Sequence, residues 1–165
     1  MKVESSNSAE QSLKTDKEMI FSRVVNAPRE LVWEVWTKPE HIEKWWGPDG
    51  FTITTKQYDL IPGGVWLHTL HGPDGKDYPN KVVFIEIIKP EKLTYRHTDD
   101  DKGVESIRFH VEVTFTEENE QTLITMHSIF ETAEMLQLVV DVYGAYEGAI
   151  QHMTRMKDYI GNLRA

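Results

Sequence analysis

The chain has 165 residues, no cysteine and a formal net charge of −9 at pH 7. This length fits one domain, and the hydrophobic content of 39% is that of an ordinary globular protein. The acidic balance argues against a protein that binds nucleic acid or anionic membranes, because either partner is bound by a basic face on the protein. The lack of cysteine excludes disulfides, thiolate metal sites and a cysteine nucleophile.

The first 17 residues are rich in Ser, Glu, Lys and Gln and carry few apolar side chains. We predict that residues 1–17 form a disordered tail and that residues 18–165 form the domain. The polar start does not fit a secretory signal, and no stretch approaches the roughly 20 apolar residues of a spanning helix. The expected location is therefore the cytoplasm.

One strand and two short helices are predicted before the main run of strands. Residues 19–25 are apolar and β-branched, as in a strand. Pro28 suits the first position of a helix, and apolar residues then recur at helical spacing as far as Lys38. A second short helix is predicted over residues 39–46, where Gly47-Pro48 stops it.

Six further strands follow, separated by turn sequences such as Pro62-Gly63-Gly64 and Gly72-Pro73-Asp74-Gly75. Residues 106–116 alternate cleanly between apolar and polar side chains, which predicts a half-buried antiparallel strand. The six predicted strands cover residues 51–60, 65–71, 80–88, 93–98, 106–116 and 122–130.

The last segment, residues 133–163, has apolar residues at three- and four-residue steps and predicts a long amphipathic helix. We expect a break or bend near Gly144 or Gly148. The apolar stripe of this helix must be covered, so the helix must lie across the sheet. The order of elements predicts an α+β domain in which a curved antiparallel sheet holds a C-terminal helix.

Aromatic side chains next to compulsory turns indicate a cavity. Trp45 and Trp46 run directly into Gly47-Pro48, and Trp66 directly follows a Pro-Gly-Gly turn and one valine. Large rings are costly to leave on an open surface. We therefore predict that these rings line the wall or mouth of one apolar pocket.

Strand alternation sorts the other candidates for this pocket. It places His68 and Leu70 on the same face as Trp66, and it places Tyr95 and His97 together on another strand. The inward face of the strand that carries His127 is not settled by the sequence. A mostly apolar pocket with a few polar groups is typical of a small-molecule site, whereas the alternative is a packed core in which these groups are satisfied. The predicted ligand-binding residues are Trp45, Trp46, Trp66, His68, Leu70, Tyr95, His97, Phe109, Tyr146, Ala149, Ile150 and Met153.

Several motifs occur in one order along the chain. They include Trp45-Trp46-Gly47-Pro48, Pro62-Gly63-Gly64-x-Trp66, Gly72-Pro73-Asp74-Gly75 and Gly148…Met153…Tyr159-Ile160. In these motifs the chain resembles, over nearly all of residues 18–163, the family related to the C-terminal domain of the activator of heat-shock protein 90 ATPase. This family belongs to the START-like, or SRPBCC, superfamily.

The resemblance implies the helix-grip fold, with a cavity between the sheet and the C-terminal helix. It also implies a range of functions, since relatives in the superfamily carry lipids, sterols, hormones or polyketides and some are cyclases or dehydratases. One departure stands out. The family often has Trp directly after the glycine of the last helix, whereas Ala149 follows Gly148 here, and we expect an enlarged cavity.

Three functions are compatible with these patterns. The first is a non-catalytic pocket for a small hydrophobic or aromatic molecule. The second is a cyclase- or dehydratase-type enzyme that uses the His and Tyr side chains of the cavity. The third is a chaperone-interacting module, for which a short tail in place of the co-chaperone's additional N-terminal domain is unfavourable. Its acidic surface would consist of Asp99, Asp100, Asp101, Glu117, Glu118 and Glu120.

Cofactor and metal chemistry find no support in the sequence. No nucleophile elbow, phosphate loop or cofactor fingerprint is present. His68 and His97 without a placed carboxylate make a poor zinc site. We therefore expect no cofactor and no metal, a small hydrophobic molecule as the partner, and no nucleic acid or membrane. A protein partner is left open without a motif to support it.

Overall fold

The computed structural model describes residues 10–98 and 108–165. Its antiparallel strands form one sheet in the spatial order β1-β2-β8-β7-β6-β5-β4-β3. The strands are β1 (Gln11–Lys14), β2 (Glu18–Val25), β3 (Thr52–Tyr58), β4 (Val65–His71), β5 (Asp77–Ile88), β6 (Lys92–Thr98), β7 (Phe109–Glu118) and β8 (Gln121–Phe130). The helices are α1 (Arg29–Thr37), α2 (Pro39–Trp45), α3 (Ala133–Tyr143) and α4 (Ala145–Leu163).

The α+β class and the helix-grip arrangement are confirmed. The long α4 packs against β2 and buries a stripe that includes Met153, Met156 and Ile160. Alternation along β7 is also as predicted, since Val111, Val113 and Phe115 are buried in the core. Among the described residues, no helix is both long and apolar enough to cross a bilayer.

Prolines set the boundaries of the two short helices. Pro28 lies just before α1 in an extended conformation, not inside its first turn, and its carbonyl accepts the N–H of Val32 at 3.2 Å. Lys38 is extended because it precedes Pro39, so α1 ends there. Pro39 then occupies the first turn of α2.

The prediction of a disordered tail is wrong for the part of residues 1–17 that the structure describes. Gln11–Lys14 forms an edge strand against β2. Arg23 donates from Nη1 to the Gln11 carbonyl at 3.0 Å and from Nη2 to Ser12 Oγ at 3.3 Å. Backbone pairing and this arginine stabilise β1 without much apolar burial, so composition alone did not reveal it. Residues 1–9 lie outside the described residues, as do Asp99, Asp100 and Asp101.

The predicted break in the C-terminal helix is at Gly144. This residue has a φ of +61° and ends α3 in the left-handed conformation. Gly148 instead lies inside α4, where an added Cβ would be 3.3 Å from Cγ of Pro48. The second glycine therefore permits a close approach between α4 and the turn after α2.

Candidate functional site

A cavity of about 590 Å³ lies between the inner face of the sheet, the two C-terminal helices and the turn after α2. Its rim includes Val142 and Tyr143 at the end of α3, whose side chains are 62% and 60% exposed. Its wall is mostly apolar. The lining residues are Met19, Trp46, Gly47, Pro48, Phe51, Leu70, Asp77, Tyr78, Pro79, Asn80, Tyr95, His97, Thr98, Phe109, Val111, Met126, Ser128, Phe130, Val139, Val142, Tyr143, Gly144, Ala145, Gly148, Ala149 and His152.

Half of the predicted site residues line this cavity. His97 and Phe109 are cross-strand partners on β6 and β7, and their rings stack with centroids 4.8 Å apart. Strand alternation found these residues because the inner face of the sheet is also the cavity wall. The six predicted residues that line the cavity are Trp46, Leu70, Tyr95, His97, Phe109 and Ala149.

The other six predicted residues do not line the cavity, and the structure gives them packing roles. Trp45 is fully buried and donates from Nε1 to the Val35 carbonyl at 3.1 Å. Tyr146 packs on Phe21 and donates its hydroxyl to the Ser12 carbonyl at 2.8 Å. Ile150 and Met153 pack in the hydrophobic core, and Trp66 and His68 form a pair beneath the wall.

His68 is an uncharged histidine of the core. Its side chain is 3% exposed, and its ring lies 4.0 Å from that of Trp66. Neither ring nitrogen has a hydrogen-bond partner within the described residues. Burial, with a smaller contribution from nearby His97, lowers the pKa of His68 to about 3. The face assignment was right, but the side chain lies too deep to reach the cavity.

His152 of α4 is a cavity residue that the sequence analysis missed. The backbone N–H of Gly47 donates to its Nδ1 at 3.0 Å. Burial chiefly, and then the charge of Arg155 and the proximity of His97, lower the pKa of His152 to about 3. His152 is three residues after Ala149, so helical spacing from that predicted residue could have found it.

Arg155, one turn further along α4, holds the turn that contacts His152. Its Nη1 donates to the carbonyls of Gly47 and Pro48 at 2.9 and 2.6 Å. A guanidinium with several donors in a fixed plane suits a cluster of carbonyl oxygens. The turn and α4 are thus joined by bonds in both directions, which fixes one wall of the cavity.

The last three even-numbered residues of β8 also face the cavity. Met126, Ser128 and Phe130 belong to its lining. His127 lies on the opposite face, where its Nε2 is 2.8 Å from Oε1 of Glu18. The question that the sequence left open is thereby settled, and His127 is not a cavity residue.

Apart from the exposed carboxylate of Asp77, the polar groups on the wall are uncharged near neutral pH. Burial lowers the pKa of His97 to about 4 and raises the pKa of Tyr95 above its usual range. Asn80 donates to the Tyr78 carbonyl at 2.9 Å. Within the described residues, no group of three His, Cys, Asp or Glu side chains is arranged to hold a metal ion. The buried part of the wall can therefore offer hydrogen bonds to a ligand from uncharged groups.

A second depression, of about 570 Å³, lies where β2 meets the end of α4. Lys157 and Glu10 form an ion pair across it at 2.8 Å, and Glu10 also accepts the Val24 N–H at 2.9 Å. Its polar groups are therefore largely engaged with one another. The apolar cavity beside His152 is the better candidate site.

Comparison with known proteins identifies relatives of this architecture. The profile of the family described as "Activator of Hsp90 ATPase homolog 1-like protein" matches residues 26–161. No curated protein matches the chain.

Among solved structures, a protein from Arthrobacter aurescens is 23% identical with a TM-score of 0.85, and the match covers 92% of this chain and 91% of that one. A protein from Mycobacterium smegmatis is 24% identical with a TM-score of 0.78, and the match covers 94% and 96% of the two chains. At these identities the likeness shows the fold alone.

Proposed function

The chain belongs to the activator of Hsp90 ATPase homolog 1-like family, and we propose that it is a non-catalytic protein that binds a small hydrophobic or aromatic molecule. The observation that carries this proposal is the cavity of about 590 Å³ beside α4. Ligand sites have volumes of roughly 300–1,000 Å³, mostly apolar walls and a few placed polar groups. The START-like fold is compatible with such a role.

The cavity wall supplies a favourable term for binding an apolar molecule. Phe109, Phe130, Met126 and Leu70 present rings and aliphatic groups to the space. Removing about 200 Å² of apolar ligand surface from water is worth roughly 5 kcal/mol before the costs of immobilisation. This magnitude is enough for micromolar binding only when the polar groups are also well matched.

Filling the cavity tests the proposal. The probe is N-phenyl-1-naphthylamine, an uncharged dye whose fluorescence rises in apolar surroundings. We expect it to bind the wild-type protein, and we expect Ala149→Trp to weaken binding at least tenfold because the indole occupies the space beside Ala149. Thr154→Trp is the matched control, since it adds the same ring on the exposed side of α4. Equal binding by all three proteins would refute a ligand site in this cavity.

The two alternative functions predict different measurements. An acid–base enzyme would use His97, but a pKa of about 4 makes this imidazole a weak base at neutral pH. A chaperone-interacting module would stimulate the ATPase of an Hsp90-type chaperone, and Ala149→Trp would leave that stimulation intact. Mass spectrometry under native conditions, on protein purified from its own source, detects a bound molecule. Incubating the protein with that molecule then separates binding from turnover, because an enzyme would change the mass of its substrate and a binding protein would not.

A further inference from the structure

One ring nitrogen of His152 is committed to the backbone, and this fixes the position of the ring proton. Nδ1 accepts the Gly47 N–H at 3.0 Å, so Nδ1 must carry a lone pair. A neutral imidazole has one donor and one acceptor nitrogen. The uncharged ring, whose pKa burial lowers to about 3, therefore carries its hydrogen on Nε2.

The Nε2–H group has no partner of its own within the described residues. The structure gives the His152 ring one hydrogen bond there, the one from Gly47. Among the described residues, both ring nitrogens of His68 lack a partner and are sealed from solvent. Nε2 of His152 is not one of these sealed atoms. His152 is 8% exposed and lines the cavity, so Nε2–H is accessible from that space.

Aromatic rings keep His152 in this position. The ring centroids of Trp46 and Trp45 lie 4.6 and 4.9 Å from that of His152, and Trp36 lies 5.9 Å away. Together with the Gly47 N–H, these rings hold the imidazole from several sides. A donor that is fixed before the ligand arrives loses little freedom on binding.

No Lys or Arg lines the described cavity wall. The nearby guanidinium of Arg155, whose charge helps to lower the pKa of His152, donates to the carbonyls of Gly47 and Pro48 instead. Asp77 is the one Asp, Glu, Lys or Arg in the described lining, and its carboxylate lies at the start of β5, 63% exposed and 2.8 Å from Nδ1 of His71. The other polar lining side chains include Tyr95, Ser128 and Asn80, which are uncharged at neutral pH. An ionised ligand group would lose its water shell here without a partner, which is strongly unfavourable.

We propose, on the basis of the ligand-binding function above, that the bound molecule is uncharged and carries a hydrogen-bond acceptor that receives Nε2–H of His152. A ketone, ester, ether or aromatic nitrogen meets this requirement. Fatty acids and other carboxylates, and protonated amines, do not meet it. The ligand class is thereby narrowed from hydrophobic molecules in general to neutral acceptors.

A matched series of naphthalenes tests this inference. The series is 2-acetylnaphthalene, which has a ketone, 2-ethylnaphthalene, which lacks the acceptor, and 2-naphthoate, which is an anion at pH 7.5. Each competes with N-phenyl-1-naphthylamine for the wild-type protein and for His152→Phe, which keeps a ring but removes the donor. We expect the substitution to weaken the ketone about 3- to 10-fold more than the ethyl compound, the range of one neutral hydrogen bond. We expect naphthoate to bind at least tenfold more weakly than the ketone.

The readouts separate this inference from the proposed function. If the dye binds and Ala149→Trp blocks it, while His152→Phe affects the ketone and ethyl compounds equally, the acceptor role of the ligand is refuted and the cavity function stands. Naphthoate binding as tightly as the ketone would refute neutrality. If no member of the series and no dye binds, both proposals fail.

Nitrogen-15 NMR of the histidine rings gives a test that needs no variant. The free wild-type protein should show His152 as the Nε2–H tautomer, and 2-acetylnaphthalene should shift its Nε2 resonance more than 2-ethylnaphthalene does. An Nδ1–H tautomer, or equal shifts with both compounds, would overturn the inference.

Discussion

At the scale of single residues, Arg155 and His152 fasten α4 to the turn after α2. Arg155 donates to the carbonyls of Gly47 and Pro48, whereas His152 accepts from the Gly47 N–H. The same turn contributes Trp46, Gly47 and Pro48 to the cavity wall. Bonds that stabilise the turn therefore also shape the candidate site.

We expect Arg155→Met to destabilise the protein by about 1–3 kcal/mol, since hydrogen bonds to a charged group are lost and partly buried carbonyls lose their donor. Urea unfolding measures the change. Lys157→Met is the matched control on the same helix, because it breaks only the exposed pair with Glu10 and should cost about 0.2–1 kcal/mol. Equal costs for the two variants would show that the bonds to the turn contribute nothing specific.

At the scale of elements, two glycines of the C-terminal region have opposite roles. Gly144 adopts a φ of +61° between α3 and α4, while Gly161 is inside α4, and an added Cβ meets nothing within 4 Å at either position. Steric contact therefore does not distinguish them. Only the backbone conformation does.

We expect Gly144→Ala to lower the free energy of unfolding by about 1–2 kcal/mol, since a Cβ disfavours the left-handed region. Gly161→Ala should raise it by roughly 0.5 kcal/mol, because alanine restricts the unfolded chain and favours a helix. Thermal unfolding of both variants measures the signs. Two changes in the same direction would contradict the assignment of a left-handed conformation to Gly144.

The edge strand β1 receives side-chain hydrogen bonds from α4 and from β2. Tyr146 of α4 donates to the Ser12 carbonyl, and Arg23 of β2 contacts Gln11 and Ser12. We expect Tyr146→Phe to increase amide exchange in residues 11–14 about three- to tenfold, because one hydrogen bond to this strand is lost. Exchange in β7 should stay within twofold. Unchanged exchange in residues 11–14 would show that backbone pairing alone retains β1.

At the scale of the whole molecule, three buried, uncharged histidines make the free energy of unfolding depend on pH. His68 and His152 have pKa values of about 3 and His97 has one of about 4, against roughly 6.5 in an unfolded chain. Between pH 6.5 and 4 the unfolded state binds more protons than the folded state. The stability that these residues contribute is therefore complete above pH 6.5 and falls as pH falls.

Well below pH 6.5, each such histidine lowers the free energy of unfolding by about 1.4 kcal/mol for every unit by which the pH falls. We expect urea midpoints to fall steeply between pH 6.5 and 4.5. His68→Leu should reduce that slope by the contribution of about one proton, and it should change stability little at pH 7.5, since it removes an unpartnered polar group. A slope identical to that of the wild-type protein would show that His68 does not contribute to the acid dependence.

Local patterns in the sequence predict most of this fold but only part of the site. Periodicity found the helices and all strands except β1, which is short and polar and is stabilised by pairing with β2 and by hydrogen bonds from Arg23 and Tyr146. Alternation found the cavity residues on β4 and β6. It could not tell how deep a side chain lies, so His68 was included. His152 was missed although helical spacing from Ala149 points to it.

The close approach between Gly148 and Pro48 has a consequence for efforts to change the shape of the cavity. At position 148 a methyl group would press on a proline ring at 3.3 Å, so enlarging that residue would move the helix away from the turn. The next residue, Ala149, lines the cavity, so a larger side chain at this position would reduce the cavity volume while the backbone stays in place. Two neighbouring residues thus control two separate properties: position 148 sets the distance between the helix and the turn, and position 149 sets the volume of the cavity.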